Sequence, residues 1–372
     1  MTVKTLSRLL AFSLFAGLAF VGQKGSCLPL WDAGLEYPLV GNPPTNNLSG
    51  LTNVEGNVWG KCNTSGSTPA WQDVQVVNYP MTYPGLESSD SNSFLFGGFG
   101  SANNFTERVA VHPPVNGAAF QVTSGTIYYS FVFTVPALVG DTTGGFICGF
   151  NNTVGPQVAN PTVVGARIYI IPNGSGYQIG IGKQPSNAAA TNVSYISTIL
   201  PFLSTNFVVC SYGFGTNPCK MWLNPDPSTF GATTPPAPSA TNNSGTDVSA
   251  VETFEFRQGN ALIPEVYAAD LRLGFCWACV TPPAGISAPK QASLSVTRSS
   301  TNFAVVSFST NSPCFLMETA TNVAAATNAW KPVITDGNPI SAGNFVVTNT
   351  VSYSTNSNPP AQEYIQVKTY SN

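Results

Sequence analysis

The run TIYYSFVFTV at 126–135 restricts the fold of this chain more than any other segment. Ile127, Tyr129, Phe131, Phe133 and Val135 fall on one face of an extended backbone, with Thr126, Ser130 and Thr134 among those on the other. The pattern predicts a strand with one buried and one wet face. The same reading applies to GARIYII (165–171), GYQIGIG (176–182), STNFVVCSYG (204–213), CKMWLN (219–224), ETFEFRQ (252–258) and ADLRLGFCW (269–277). Many short strands separated by Gly, Pro and Asn turns predict an all-β sandwich or jelly roll.

Composition points the same way. Only 8% of residues are charged, against about 25% in an ordinary soluble protein. Surface helices need a charged outer face, and this chain has little material to make one. A net charge of -3 provides no basic stripe for phosphates, so a nucleic-acid partner is not expected.

Residues 1–26 have the layout of an export signal. Lys4 and Arg8 form a positive start, and Leu9 to Val21 an apolar stretch too short for a bilayer span. Gly25, Ser26 and Cys27 hint at a lipid-attachment box, but Lys24 stands where an aliphatic residue is required, so plain secretion or a cell-surface location is expected, with no transmembrane span in the mature chain.

Residues 27–283 then form the main domain. The segment TPPAGISAPK (281–290) reads as a linker, and 284–372 carry their own strand set, of a length that fits a small immunoglobulin-like or fibronectin-like β-sandwich.

Several segments recur in order: YPGLESSDSNSFLFGG (83–98), FICGFNNTVG (146–155), GARIYIIPNGSGYQIGI (165–181), NFVVCSYGFG (206–215), NPDPSTFG (224–231) and YAADLRLG (267–274). As an ordered set the chain resembles exported bacterial proteins of the concanavalin-like (laminin-G-like) superfamily. The resemblance implies a jelly roll of two antiparallel sheets, and suggests sugar or surface binding only as a class. It also implies calcium as a possible support for binding, for which Asp90, Asp141 and Asp247 are the candidate oxygen ligands, although no loop has calcium spacing.

Eight cysteines in an exported chain are first disulfide candidates. A hairpin turning at Phe214 and Gly215 would set Cys210 opposite Cys219, so that pair is expected to bond, the alternative being two half-buried thiols. Cys276 and Cys279 form a CxxC. If the strand continued through them their sulfurs would point to opposite sides, so a structural role is expected rather than redox or metal chemistry. Cys27, Cys62, Cys148 and Cys314 remain unassigned.

Catalytic patterns are thin. Glu252 and Glu255 are three apart on a strand and face opposite ways, a poor glycosidase dyad, while Asp270 and Arg272 read as an exposed ion pair. His112 is the single histidine, and no G-x-S-x-G turn or phosphate loop accompanies it. Sugar binding has more to work with. Trp59, Trp71, Tyr79 and Tyr83 lie in segments dense in Asn, Ser and Gly, where a flat ring stacks on a pyranose or else plugs the core rim. Asp226, between two prolines in NPDPSTFG, marks a rigid loop that serves either as a contact surface or simply to redirect the chain.

The sequence therefore predicts an exported, non-catalytic binder of carbohydrate or cell-envelope polymer. A structural or adhesive protein that contacts other proteins is the second reading, and a glycan hydrolase or lyase the third.

Overall fold

The computed structural model of the protein describes residues 30–32, 45–49, 51–52, 58–62, 74–88, 92–97, 105–111, 121–137, 144–152, 163–183, 192–258, 264–284 and, beyond these, strands between 293 and 369. The proposed signal segment 1–26 lies outside the described residues. Among the described residues no helix is long and apolar enough to cross a membrane.

The chain divides into two compact units, one of Leu28–Ile286 with Asp336–Asn338, the other holding Ser287–Thr335 and Pro339–Asn372. In the first, the strands in chain order are β1 (Leu30–Asp32), β2 (Thr45–Asn47), β3 (Gly60–Cys62), β4 (Gln75–Val77), β5 (Ser93–Phe96), β6 (Phe105–Ala110), β7 (Thr126–Thr134), β8 (Gly145–Asn151) and β9 (Val164–Asn173). They continue as β10 (Gly176–Gly182), β11 (Ser194–Tyr195), β12 (Leu200–Pro201), β13 (Asn206–Gly213), β14 (Cys219–Leu223), β15 (Ala240–Asn242), β16 (Thr253–Gln258) and β17 (Val266–Gly274), which leads to a helical turn, α1 (Trp277–Val280).

These strands make two antiparallel sheets. A nine-stranded sheet runs β15-β14-β13-β7-β17-β5-β4-β2 with β1 on β17, and an eight-stranded sheet runs β11-β10-β9-β8-β16-β6-β3 with β12 on β10. The chain changes sheet at each step from β5 to β8 and again from β15 to β17, so the two layers are laced together. This is an all-β, jelly-roll-like sandwich.

Phe256 sits at the centre of the interior. Trp59 stacks on it at 6.0 Å, Phe96 at 4.7 Å, and Phe131 meets it edge-on at 5.8 Å, which joins β16 of one sheet to β5 and β7 of the other. Each such ring contributes about 1.5–3 kcal/mol by leaving water. Trp59 is thus wholly buried core and not the loop platform expected of it.

From Tyr129 onward both faces of β7 are buried, which corrects the expectation of a wet side along the whole strand, while Thr126 and Tyr128 stay half-buried. Ser130 and Thr134 are as buried as Phe131. The cause is a roof over the nine-stranded sheet made by α1 and the NPDPSTFG loop. Trp277 packs edge-on against Trp222 at 5.1 Å, its Nε1 donates to the Thr229 carbonyl at 2.8 Å, and Ser130 Oγ donates to the Val280 carbonyl at 2.7 Å.

Two cysteine expectations change. Cys210 faces Met221 across the ladder, and Cys210, Cys219 and Cys148 are free, buried thiols. The connection between β13 and β14 is longer than a two-residue turn because Pro218 has no N–H for the ladder and Asn217 N instead donates to Phe214 O, which delays β14 until Cys219. Cys276 and Cys279, in contrast, are joined by a disulfide. β17 stops at Gly274 and α1 begins three residues later, so a helical turn brings both sulfurs to one side, with Cys276 Sγ accepting from Cys279 N at 3.0 Å.

The second unit is also built of strands. β18 (Ser293–Ser300), β19 (Phe303–Ser309), β20 (Phe315–Ala320), β21 (Lys331–Pro332), β24 (Val346–Asn349) and β25 (Tyr364–Thr369) form the antiparallel groups β18-β19-β24 and β21-β20-β25, with two further short strands, β22 (Ile334–Thr335) and β23 (Asn338–Pro339), between β21 and β24 in the chain.

Candidate functional site

With the nine-stranded sheet roofed, the outward face of the eight-stranded sheet is where polar chemistry collects. On β16, Phe254 and Phe256 point to the core, which sends Glu255 and Arg257 to the other side. Ladder partners extend this into a row across the sheet. Gly182 of β10 faces Arg167 of β9, Gly149 of β8 faces Glu255 of β16, Glu255 faces Arg108 of β6, and Arg108 faces Gly60 of β3. Bulges between β8 and β9 set Gly149 beside Arg167, where a Cβ on the glycine would come within 2.6 Å of Val164 Cγ1 and 2.8 Å of the Gly165 carbonyl. Glycines stand beside the two buried charges of this row, Gly182 and Gly149 on either side of Arg167 and Gly149 opposite Glu255, which leaves bare backbone next to their side chains.

The next row is aromatic. Tyr195 of β11 faces Gly180 of β10, Gly180 faces Tyr169 of β9, and Tyr169 faces Phe146 of β8. The Tyr195 ring lies over Gly180, since a Cβ there would sit 2.6 Å from its Cδ1.

A bulge sets the two rows in place. Ala166 takes a φ of 49°, a strained value for a residue with a side chain, and its carbonyl turns inward to accept from Tyr129 Oη at 2.5 Å. Arg167 follows, facing outward, with Nε donating to Val164 O at 3.0 Å and Nη1 to Tyr169 Oη at 3.4 Å. The Arg167 and Arg257 guanidinium carbons lie 4.6 Å and 4.1 Å from the centroid of the same ring, Phe146. Asn151 Nδ2 donates to Glu255 Oε2 at 3.2 Å.

Electrostatics there are those of a dry site. Glu255, Asn151 and Arg167 are buried, while Phe146 and Arg257 are half-buried. Burial pulls the Arg257 guanidinium down to about 10; Glu255 opposes that fall and Arg167 adds to it. Burial first, and Tyr169 second, push the Tyr195 phenol up to about 12. The Tyr195 hydroxyl oxygen is buried and has no hydrogen-bond partner among the described residues, an unusual condition for a group that both donates and accepts.

Residues expected from the sequence to bind ligand are scattered. Tyr83 and Asp226 do come together on the roof of the other sheet. The Tyr83 ring packs on Phe207 at 5.4 Å and Phe230 at 6.3 Å, and its phenol is raised by burial and then by the Asp226 charge. Asp226 is fully exposed and caps the turn Pro227–Thr229 by accepting from Ser228 N at 2.9 Å, a bond that lowers its carboxyl pKa. Tyr79 is exposed, with its ring 4.4 Å from Tyr267. Trp59 is in the core, and Trp71 lies outside the described residues.

Of the three calcium candidates, only Asp247 lies among the described residues. Asp247 is committed to Lys183 Nζ at 2.9 Å and to Tyr212 Oη at 3.0 Å, and also accepts from Gly215 N. Asp90, Asp141 and His112 lie outside the described residues, among which no group of three or more metal-binding side chains occurs.

Asp270 and Arg272 are not the exposed pair expected. Both are buried at a bulge of β17, where Asp270 has a φ of 55°. Arg272 donates to the carbonyls of Asp270 at 3.2 Å and Glu87 at 2.6 Å, and Ser88 Oγ donates to Asp270 Oδ2 at 2.7 Å. This node fastens residues 87–88 to the nine-stranded sheet.

Arg167, Glu255 and Arg257 were legible only weakly. Each is a charge inside an otherwise apolar strand, IYII or FEF, and that isolation is the signal a sequence offers.

The fold and this face define a jelly-roll-like sandwich with one roofed sheet and one sheet carrying adjoining charged and aromatic rows. No protein-family model matches the chain, and neither does any curated protein. Among solved structures it is similar to a conserved carbohydrate esterase from a Shiga toxin-encoding bacteriophage, phi24B, with a TM-score of 0.34 and 10% identity over 58% of this chain and 88% of that one. It is also similar to a sialidase (TM-score 0.34, 10% identity, 63% of this chain and 19% of that one) and to the carbohydrate recognition domain of Emp46p (TM-score 0.33, 8% identity, 66% and 99%).

Proposed function

We propose that this is an exported glycan-binding protein that takes saccharide on the outward face of its eight-stranded sheet. One observation carries the reading: the buried Tyr195 hydroxyl, with no hydrogen-bond partner among the described residues, stands in an aromatic row with Tyr169 and Phe146, and Phe146 carries the two arginines. Sugars present vicinal hydroxyls that bond to carboxylate, amide and guanidinium groups, together with C–H faces that lie on aromatic rings. A sugar hydroxyl would supply the donor and acceptor that Tyr195 lacks. Secretion or surface display rests on the layout of residues 1–26.

Calorimetric titration of the full chain with a panel of neutral and acidic polysaccharides, with and without calcium, tests the reading. Saturable binding without release of reducing ends or unsaturated products is the expected result. Absence of binding across the panel contradicts it, and turnover would move the chain to the hydrolase or lyase reading.

A further inference from the structure

Resting on that reading, we infer that the chain has a second, separate saccharide contact on the nine-stranded sheet, built on the stacked rings of Tyr79 and Tyr267, and that one molecule thereby bridges two polysaccharide strands. Away from α1 the surface of that sheet opens. In one ladder row Tyr267 of β17 faces Leu95 of β5, and Leu95 faces Gln75 of β4. All three are half-buried and lie on the side of the sheet opposite the core-facing Phe94 and Val76. Tyr79, just past β4, sets its ring 4.4 Å from that of Tyr267, and it alone among the described aromatic side chains is exposed.

Both halves of sugar recognition meet there. An exposed ring backed by a second ring is a fixed platform for the C–H face of a pyranose, and polar groups stand around it for the hydroxyls. The Tyr267 hydroxyl donates to the Glu265 carboxylate, and burial, then that bond and the Glu265 charge, push the phenol up to about 12, so it stays protonated. Thr134, the ladder partner of Tyr267 on β7, has a buried Oγ1 with no hydrogen-bond partner among the described residues, as Tyr195 has on the other sheet. The two contacts face opposite ways on layers stacked about 10 Å apart, so an oligosaccharide lying flat on one does not reach the other. With fewer buried polar groups around it, the second contact is the weaker. A polymer with many repeats engages both faces of many molecules and becomes cross-linked.

The test is calorimetric titration of the full chain with cellohexaose, xylohexaose and hexagalacturonate, together with light scattering of its mixtures with hydroxyethylcellulose, xylan and polygalacturonate. At least one hexasaccharide should bind in two steps, two molecules per chain, and its parent polymer should form particles larger than either component. Tyr79→Ala should weaken the second step at least tenfold, change the first by less than twofold, and abolish the particles, whereas Tyr79→Phe, which keeps the ring, should retain both steps. A single step of one molecule per chain, a polymer bound without particles, or two steps untouched by Tyr79→Ala overturns the inference and leaves glycan binding standing. No binding to any hexasaccharide or polymer overturns both. Should Tyr79→Ala fail to fold, the stoichiometry of the unaltered chain decides.

Discussion

The guanidinium of Arg257 lies 4.1 Å from the centre of the Phe146 ring, and that contact ties β16, which also carries Glu255, to the aromatic row of the eight-stranded sheet. Arg167 approaches the same ring at 4.6 Å. Phe146→Ala should therefore loosen two cations at once. Cation–π contacts contribute about 0.5–2 kcal/mol each, so a loss of about 1–3 kcal/mol in urea unfolding is expected, along with weaker glycan binding. Phe146→Tyr, which keeps the ring, should retain most of both.

Core and rim aromatics should separate cleanly. Phe256→Ala removes the ring that Trp59, Phe96 and Phe131 all meet, and should cost about 3–5 kcal/mol. Tyr79→Ala, at an exposed ring, should cost under about 1 kcal/mol. Chemical denaturation of the two variants checks both values.

The thiols should divide into two classes. In denaturant without reductant, alkylation should reach Cys148, Cys210 and Cys219 and leave Cys276 and Cys279 unlabelled. Reducing the Cys276–Cys279 bond should cost about 2 kcal/mol for so short a loop. It should also alter tryptophan fluorescence, because Trp277 lies between the two cysteines and packs on Trp222. Peptide mapping by mass spectrometry reads the first outcome.

Asp247 makes stability depend weakly on acid. Burial tends to raise its pKa, but hydrogen bonds from Lys183, Gly215 and Tyr212 and the Lys183 charge bring it below the usual carboxylate value. A carboxyl depressed in the folded state adds stability that is full above its unfolded value, near pH 4, and lost as pH falls through the folded one. Because Asp247 is substantially exposed, the effect should stay below about 1 kcal/mol. Asp247→Asn should remove that contribution, so that unfolding free energy, followed by denaturant titration, falls less between pH 5 and pH 3 than in the unaltered chain.

What the sequence could and could not show follows from range. Alternation in TIYYSFVFTV placed Tyr129 and Phe131 in the interior correctly, because strand period is a local property. It misjudged Ser130, because the cover on its side comes from α1 and from residues 224–231, far along the chain. Cys210 and Cys219 missed each other because Pro218 lengthened the hairpin connection. CxxC looked two-sided only as long as the strand was assumed to continue past Gly274. Arg167, Gly149 and Glu255 become neighbours through bulges and ladder register between β9, β8 and β16, relations with no trace in spacing along the chain.

The most direct measurement is the affinity for the tightest-binding polysaccharide of three proteins: the unaltered chain, Glu255→Gln, and the pair Tyr83→Ala with Asp226→Ala, all with matched melting curves. Glycan held on the eight-stranded sheet predicts a loss of at least tenfold for Glu255→Gln and a change under twofold for the Tyr83 and Asp226 pair. The reverse order, with the roof variants losing affinity and Glu255→Gln retaining it, would contradict that placement.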